Sequence, residues 1–203
     1  MRLKLKKTVL VLLVGFFGLL ILGVIYVKTH PLVFNESFFD HAHCIAQAGS
    51  LLRIYAGDHY GQYPVSSNGY GEALLMLYDF DESSGPILAG PGCDSSVFKK
   101  ARSSKTRVSE KDCGRVYIQG LGETSNPEIV VLYDKLPTPG GDHCHFLNRI
   151  FAPLGREVSF VDGDHRFIRE SEWPLIATKQ IDLLVKEGFT TEQAKKLYPS
   201  GSK

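Results

Sequence analysis

The chain has 203 residues, which suits one compact domain plus an appendage. Apolar residues make up 43% and charged residues 22%, an ordinary globular balance. The formal net charge of +1 excludes a whole-chain electrostatic case for nucleic-acid binding, so no nucleic-acid partner is expected.

Four basic residues, Arg2, Lys4, Lys6 and Lys7, open the chain. Thr8 to Val27 follows without a charge, and its only polar groups are the hydroxyls of Thr8 and Tyr26. At about 1.5 Å per helical residue such a stretch covers roughly 30 Å, the thickness of a bilayer core. It exceeds a signal-peptide apolar core of about 7–15 residues and has no small-residue cleavage site after it. The expectation is an uncleaved transmembrane helix over 8–28, with the bilayer as its partner. Only Lys28 closely follows the span, so the basic flank 1–7 is expected in the cytoplasm. Everything from residue 29 then faces the periplasm or the exterior of an inner-membrane, single-pass protein.

His30-Pro31 breaks or kinks the helix. From Phe38 to about Asp58 apolar residues recur at three- and four-residue steps, which predicts an amphipathic helix. Gly57, Gly61 and Pro64 end it. Gly71–Phe80 reads as a short helix and Asp81–Gly92 as a loop. The basic stretch Lys99, Lys100, Arg102, Lys105 and Arg107 reads as a solvated loop in preference to a lipid- or polyanion-binding one. Strands are expected at Gly114–Gly120, Glu128–Asp134 and Glu157–Val161, with a return strand at His165–Ile168 after an Asp162-Gly163 turn. The segment LPTPGGDHCH between them reads as a loop. Trp173–Glu187 reads as a helix stopped by Gly188, with Trp173 packed inward. Thr190 with Gln193 forms a capping box for a last short helix. The fold class is therefore α+β: a transmembrane helix, an amphipathic helix on a small antiparallel sheet in a domain over 29–170, and a C-terminal helical extension over 171–203.

The cysteines are Cys44, Cys93, Cys113 and Cys144, and no C-x-x-C spacing occurs. In an oxidising compartment an even count suggests disulfides, and four cysteines allow three pairings. Cys93–Cys113 is favoured because it closes the basic, Ser-rich stretch between them, by roughly 3 kcal/mol on the loop-entropy model.

The segment CIAQAGSLLRIYAGDHYGQYP, with Cys44, Tyr55, Ala56, Asp58, Gly61, Tyr63 and Pro64, resembles the helix-to-loop signature of type II secretion pseudopilin-like (type IV pilin-like) proteins. PGCDSS, GRVYIQG, IVVLYDK, GGDHCHFLN and VSFVDGDHRFI follow in the order such proteins carry a Cys loop, a Tyr-rich strand, a strand ending in Asp-Lys, a His loop and an Asp-Gly hairpin. The resemblance covers roughly 38–170. It implies a helix packed on a small sheet, a structural or assembly role without catalysis, and pilin-like subunits or other envelope proteins as partners. It also implies calcium in the loops of some members. The resemblance stops at the apolar segment, which lacks the intramembrane glutamate that prepilins use to register subunits. Its absence implies no prepilin-type cleavage.

Asp142, His143, His145, Asp162, Asp164 and His165 form a polar cluster in the sequence. Three assignments compete: a structural turn at Asp162 and Asp164, a calcium site, or a zinc or other transition-metal site. The turn is preferred, so no cofactor is expected, with calcium as the alternative. Cys144 between His143 and His145 offers a thiol beside an imidazole, but catalytic partners meet through the fold and not along the chain. No G-x-S-x-G, P-loop, G-x-G-x-x-G or H-E-x-x-H motif occurs. A metal-dependent enzyme or binding module and an accessory subunit of a larger membrane complex stand as the alternatives.

Overall fold

The structure is a computed structural model that describes residues 15–19, 21–23, 45–139 and 153–199. Contacts divide the chain into two units, 1–35 and 36–203. In the first unit 15–19 and 21–23 are helical and exposed. The expected transmembrane helix over 8–28 requires correction: no helix among the described residues is long and apolar enough to cross a membrane. A crossing needs about 20 residues in one helix, and the described pieces reach little more than one turn. The remainder of that span, the flank 1–7 and residues 29–44 lie outside the described residues.

In the second unit α1 spans Ile45–Asp58 and buries Ile45, Ala48, Leu52, Tyr55 and Ala56 on one face. Its expected start at Phe38 lies outside the described residues. The next helix, α2, is Tyr70–Phe80, within a residue of expectation. The expected loop over 81–92 is instead a 3-10 turn, Glu82–Ser84, and a short helix α3, Gly85–Ala89. Asp81 caps the turn by accepting from the Ser83 N–H, and Pro86 suits the first turn of α3. The basic stretch is likewise a helix in part: α4, Val97–Ser104, buries Phe98 and Ala101 while its lysines stay in solvent. Two apolar residues three positions apart were enough to anchor it to the core.

The strands are β1 (Arg115–Tyr117), β2 (Val130–Asp134), β3 (Thr138–Pro139), β4 (Leu154–Phe160) and β5 (His165–Arg169). All pairings are antiparallel: β1 with β2, and β4 with β2, β3 and β5. Gly155 pairs with both Thr138 and Arg169, and Ser159 with both Leu132 and His165. β2 and β3 therefore share one edge of β4, and β5 takes the other. The short β3 occupies part of the expected Pro/Gly loop; residues 140–152 lie outside the described residues.

Neighbouring residues of a strand face opposite sides of a sheet. On β4, Ser159 faces α1, where a Cβ on Gly49 would fall inside contact distance of its Oγ. Tyr133, opposite Val158 in the register, faces the other way. There its ring meets Trp173 at 4.9 Å and Tyr198 at 5.7 Å. These belong to the tail, α5 (Trp173–Lys186) and α6 (Thr191–Leu197) with Tyr198 after it. The domain has three layers: α1, the sheet, and the tail. The expected capping box is present: Thr190 Oγ1 accepts from Gln193 N, and Thr190 N donates to Gln193 Oε1.

The register of β2 against β4 shifts between Val130 and Leu132, a bulge that turns the buried Val130 peptide away from the ladder. The tail supplies its partners. Val130 N donates to Gln180 Oε1 at 2.8 Å, Gln180 Nε2 donates to Glu128 O at 2.9 Å, and the Tyr198 hydroxyl donates to Val130 O.

Gln180→Leu leaves the Val130 N–H buried without its acceptor and is expected to cost about 1–3 kcal/mol in urea unfolding. Gly49→Ala is expected to cost a similar ~1–3 kcal/mol through overpacking, and Ser159→Ala to recover part of it.

Candidate functional site

The turn after β4 uses two of the predicted metal ligands. Asp162 Oδ1 accepts from Asp164 N at 2.8 Å, and Asp164 Oδ1 accepts from His165 N at 2.9 Å. Asp164 Oδ2 takes Arg166, with Nε at 2.8 Å and Nη2 at 2.7 Å. Hydrogen bonding to Arg166 holds the Asp164 carboxyl below the usual carboxylate range. Gly163 sits at φ 89°, a backbone region that glycine adopts without strain, and a Cβ there would meet Arg53 Nη1 at 2.7 Å. These groups act as a hairpin turn. Asp142, His143 and His145 lie outside the described residues. Among the described residues no group of three or more His, Cys, Asp or Glu is placed to hold a metal ion.

Cys93 and Cys113 both carry free thiols, Cys93 half-buried and Cys113 buried. Gly114 N donates to Ala89 O at 2.6 Å, which holds the 89–93 segment against the start of β1. Burial pushes the Cys113 thiol up to about 12 and raises that of Cys93 as well. Neither is an activated nucleophile.

One feature had no sequence signal of its own. Arg115 and Asp134, opposite each other in the β1–β2 register, are both buried, with Arg115 Nε 3.4 Å from Asp134 Oδ1. The buried Glu157 donates its N–H to Asp134 Oδ2 at 3.4 Å. Charged residues in three separate strands become a cluster only through the pairing.

A cleft of about 490 Å³ opens between the sheet and the tail. Its floor is Val116, Tyr133, Phe189 and Leu197, and its walls include Tyr70 and Pro199. The tail positions this floor: the Tyr133 hydroxyl donates to Leu197 O, and Trp173 Nε1 donates to Pro199 O at 3.2 Å. Lys111 and Lys196 stand exposed at the mouth, with Lys135 half-buried between the strands and the 3-10 turn Glu110–Asp112. Lys135 Nζ donates to Glu110 O at 3.1 Å, and Tyr70 fixes the same turn through its hydroxyl to Glu110 O at 3.2 Å. Arg156 also lines the cleft but is committed elsewhere. It makes a two-bond pair with Glu170 at 2.9 and 3.0 Å and lies 5.0 Å over the Trp173 ring. Glu110 is the one carboxylate in the lining, which among the described residues contains no histidine, cysteine or serine. An apolar floor under a cationic mouth suits an apolar group that carries negative charge beside it.

Sequence reasoning placed Trp173 correctly in the core but missed the cleft. Its cations come from four separate segments, and its floor exists only once the tail has packed. Comparison of the chain with protein-family models, curated proteins and solved structures gives no match.

Thiol labelling at pH 8 followed by peptide mapping is expected to leave Cys113 unmodified in the native chain and to modify it after unfolding. Under oxidising conditions, non-reducing peptide mapping is expected to recover Cys93 and Cys113 in one linked peptide. Recovery of the two peptides unlinked would remove the Cys93–Cys113 disulfide expected from the sequence.

Proposed function

We propose that this chain is a pseudopilin-like structural or assembly protein that works by docking other subunits and not by turnover. The observation that carries this is the cleft between the sheet and the tail helices, an aromatic and aliphatic floor under a lysine mouth. The helix-on-sheet arrangement supports the same reading, since α1 crosses an antiparallel sheet as the motif order implied. Subunits that meet through such a surface need shape and charge, and its one carboxylate has no histidine or second carboxylate beside it in the lining. An extracytoplasmic location and envelope proteins as partners belong to this proposal.

The accessory-subunit reading draws support from a second surface. Leu175, on the first turn of α5, is 77% exposed beside the half-buried Ile176, while Trp173 in the same turn is in the core. Pro174, Leu175 and Ile176 are contiguous in the chain, and a contiguous apolar patch is what a larger complex covers.

Isolation of the native chain with mild detergent is expected to bring down pilin-like subunits in fixed stoichiometry, with no metal in the purified domain. Intact mass and N-terminal sequencing of the same sample are expected to show a chain that begins at or next to Met1. Bound metal in stoichiometric amount, together with an activity lost on His143→Ala in a folded chain, would replace this reading with the metal-dependent one.

A further inference from the structure

The C-terminal ends of α1 and α2 form an aromatic surface. The rings of Tyr55 and His59 stack at 3.7 Å, and Phe80 meets them edge-on at 5.6 and 6.5 Å. Tyr55 is buried, but Phe80 and Met76 are each 38% exposed, and Tyr60 just beyond is wholly exposed. Carboxylates adjoin these groups along the chain: Asp58 precedes His59, Asp79 and Asp81 flank Phe80, and Glu82 follows. Arg102 is the cation that faces them, paired with Asp79 at 3.3 Å and with Glu82. Four carboxylates against one guanidinium leave the patch negative. An apolar group carried among carboxylates is the chemistry that the cleft on the tail side would accept.

From this complementarity we infer that the acidic Phe80 surface of one copy docks into the lysine-mouthed cleft of a second copy. The inference rests on the assembly reading above and names the partner: another molecule of the same chain. Phe80 and Met76 would cover Val116, Phe189 and Leu197, and Asp79 and Asp81 would face Lys111 and Lys196. α2 puts Tyr70 in the cleft lining and Phe80 about 15 Å further along its axis, so the two surfaces are separate and the contact is heterologous, with each copy presenting one surface and leaving the other open. Heterologous contacts propagate into rings or filaments and do not stop at a dimer. A contact built from the globular unit also needs no intramembrane carboxylate, which the apolar segment lacks.

The test uses two variants of the full chain in mild detergent, which covers the apolar stretch. Phe80→Ala disables one surface, and Lys111→Glu with Lys196→Glu disables the other; all three positions are at least partly exposed, and thermal unfolding checks that both variants stay folded. Sedimentation velocity at low salt is expected to show concentration-dependent oligomers of the parent chain that dissociate as salt rises. Each variant alone is expected to self-associate at least tenfold more weakly. A mixture of the two retains one intact surface pair and is expected to form a 1:1 heterodimer with affinity close to the parent contact. Oligomers equally strong in every combination, or a mixture as weak as the variants alone, would overturn the inference. A parent chain that stays monomeric while pilin-like subunits co-purify with it would also overturn it and leave the assembly reading standing. A monomeric chain without such subunits would end both.

Discussion

The buried peptide of Val130 is the constraint on which the rest of the domain depends. A bulge in β2 turns both of its polar groups out of the ladder, and neither reaches water. A buried peptide without partners costs on the order of 1–3 kcal/mol per group, so the sheet is complete only with Gln180 and Tyr198 in place. That requirement fixes the tail against the sheet, which in turn buries Trp173 and Tyr133 and makes the floor of the cleft. Burial raises the phenols of Tyr133 and Tyr198 far above their ordinary range, so the hydroxyl of Tyr198 stays a donor at any pH the protein meets.

The charged interior follows the same logic at the other end of the sheet. A buried arginine is tolerated only when it is paired, and Arg115 has Asp134 across the β1–β2 register. The close packing of Gly90, where a Cβ would stand 2.5 Å from Arg115 Cγ, leaves the guanidinium stem no alternative place. The pair also specifies register: a one-residue slip of β1 would turn Arg115 to the opposite face and leave Asp134 without it.

Much of the domain was legible because local rules and tertiary packing agree there. The β-branched run at Val130–Asp134, the Asp162-Gly163 turn and the Thr190–Gln193 capping box each carry their own chemistry, and each appears within a few residues of its expected place. The helices at 85–89 and 97–104 were not legible, since both are short, the first carries Gly85 and Pro86, the second is mostly serine and basic residues, and each is held by only a few buried side chains such as Leu88 and Phe98. The transmembrane helix was read from twenty uncharged residues in a row, a purely compositional signal, and no described helix carries it. The cleft was invisible for a different reason. Its lining is drawn from residues 70 to 199, and nothing in any one segment marks Lys111, Lys135 and Lys196 as neighbours.

The clamp on Val130 also orders events in time. The residues that complete the sheet, Gln180 and Tyr198, are translated roughly fifty and seventy positions after the strand they complete. A nascent chain that has emerged only as far as β5 holds every described strand and still lacks the partners of its own bulge. Such an intermediate exposes Tyr133 and an unsatisfied peptide, the kind of surface that chaperones bind and that aggregates nucleate on. The sheet gains its full set of hydrogen-bond partners only when residue 198 is in place. A chain cut short within the tail keeps its strands and loses the partners of Val130, so the C-terminal helices decide whether the sheet can be buried at all.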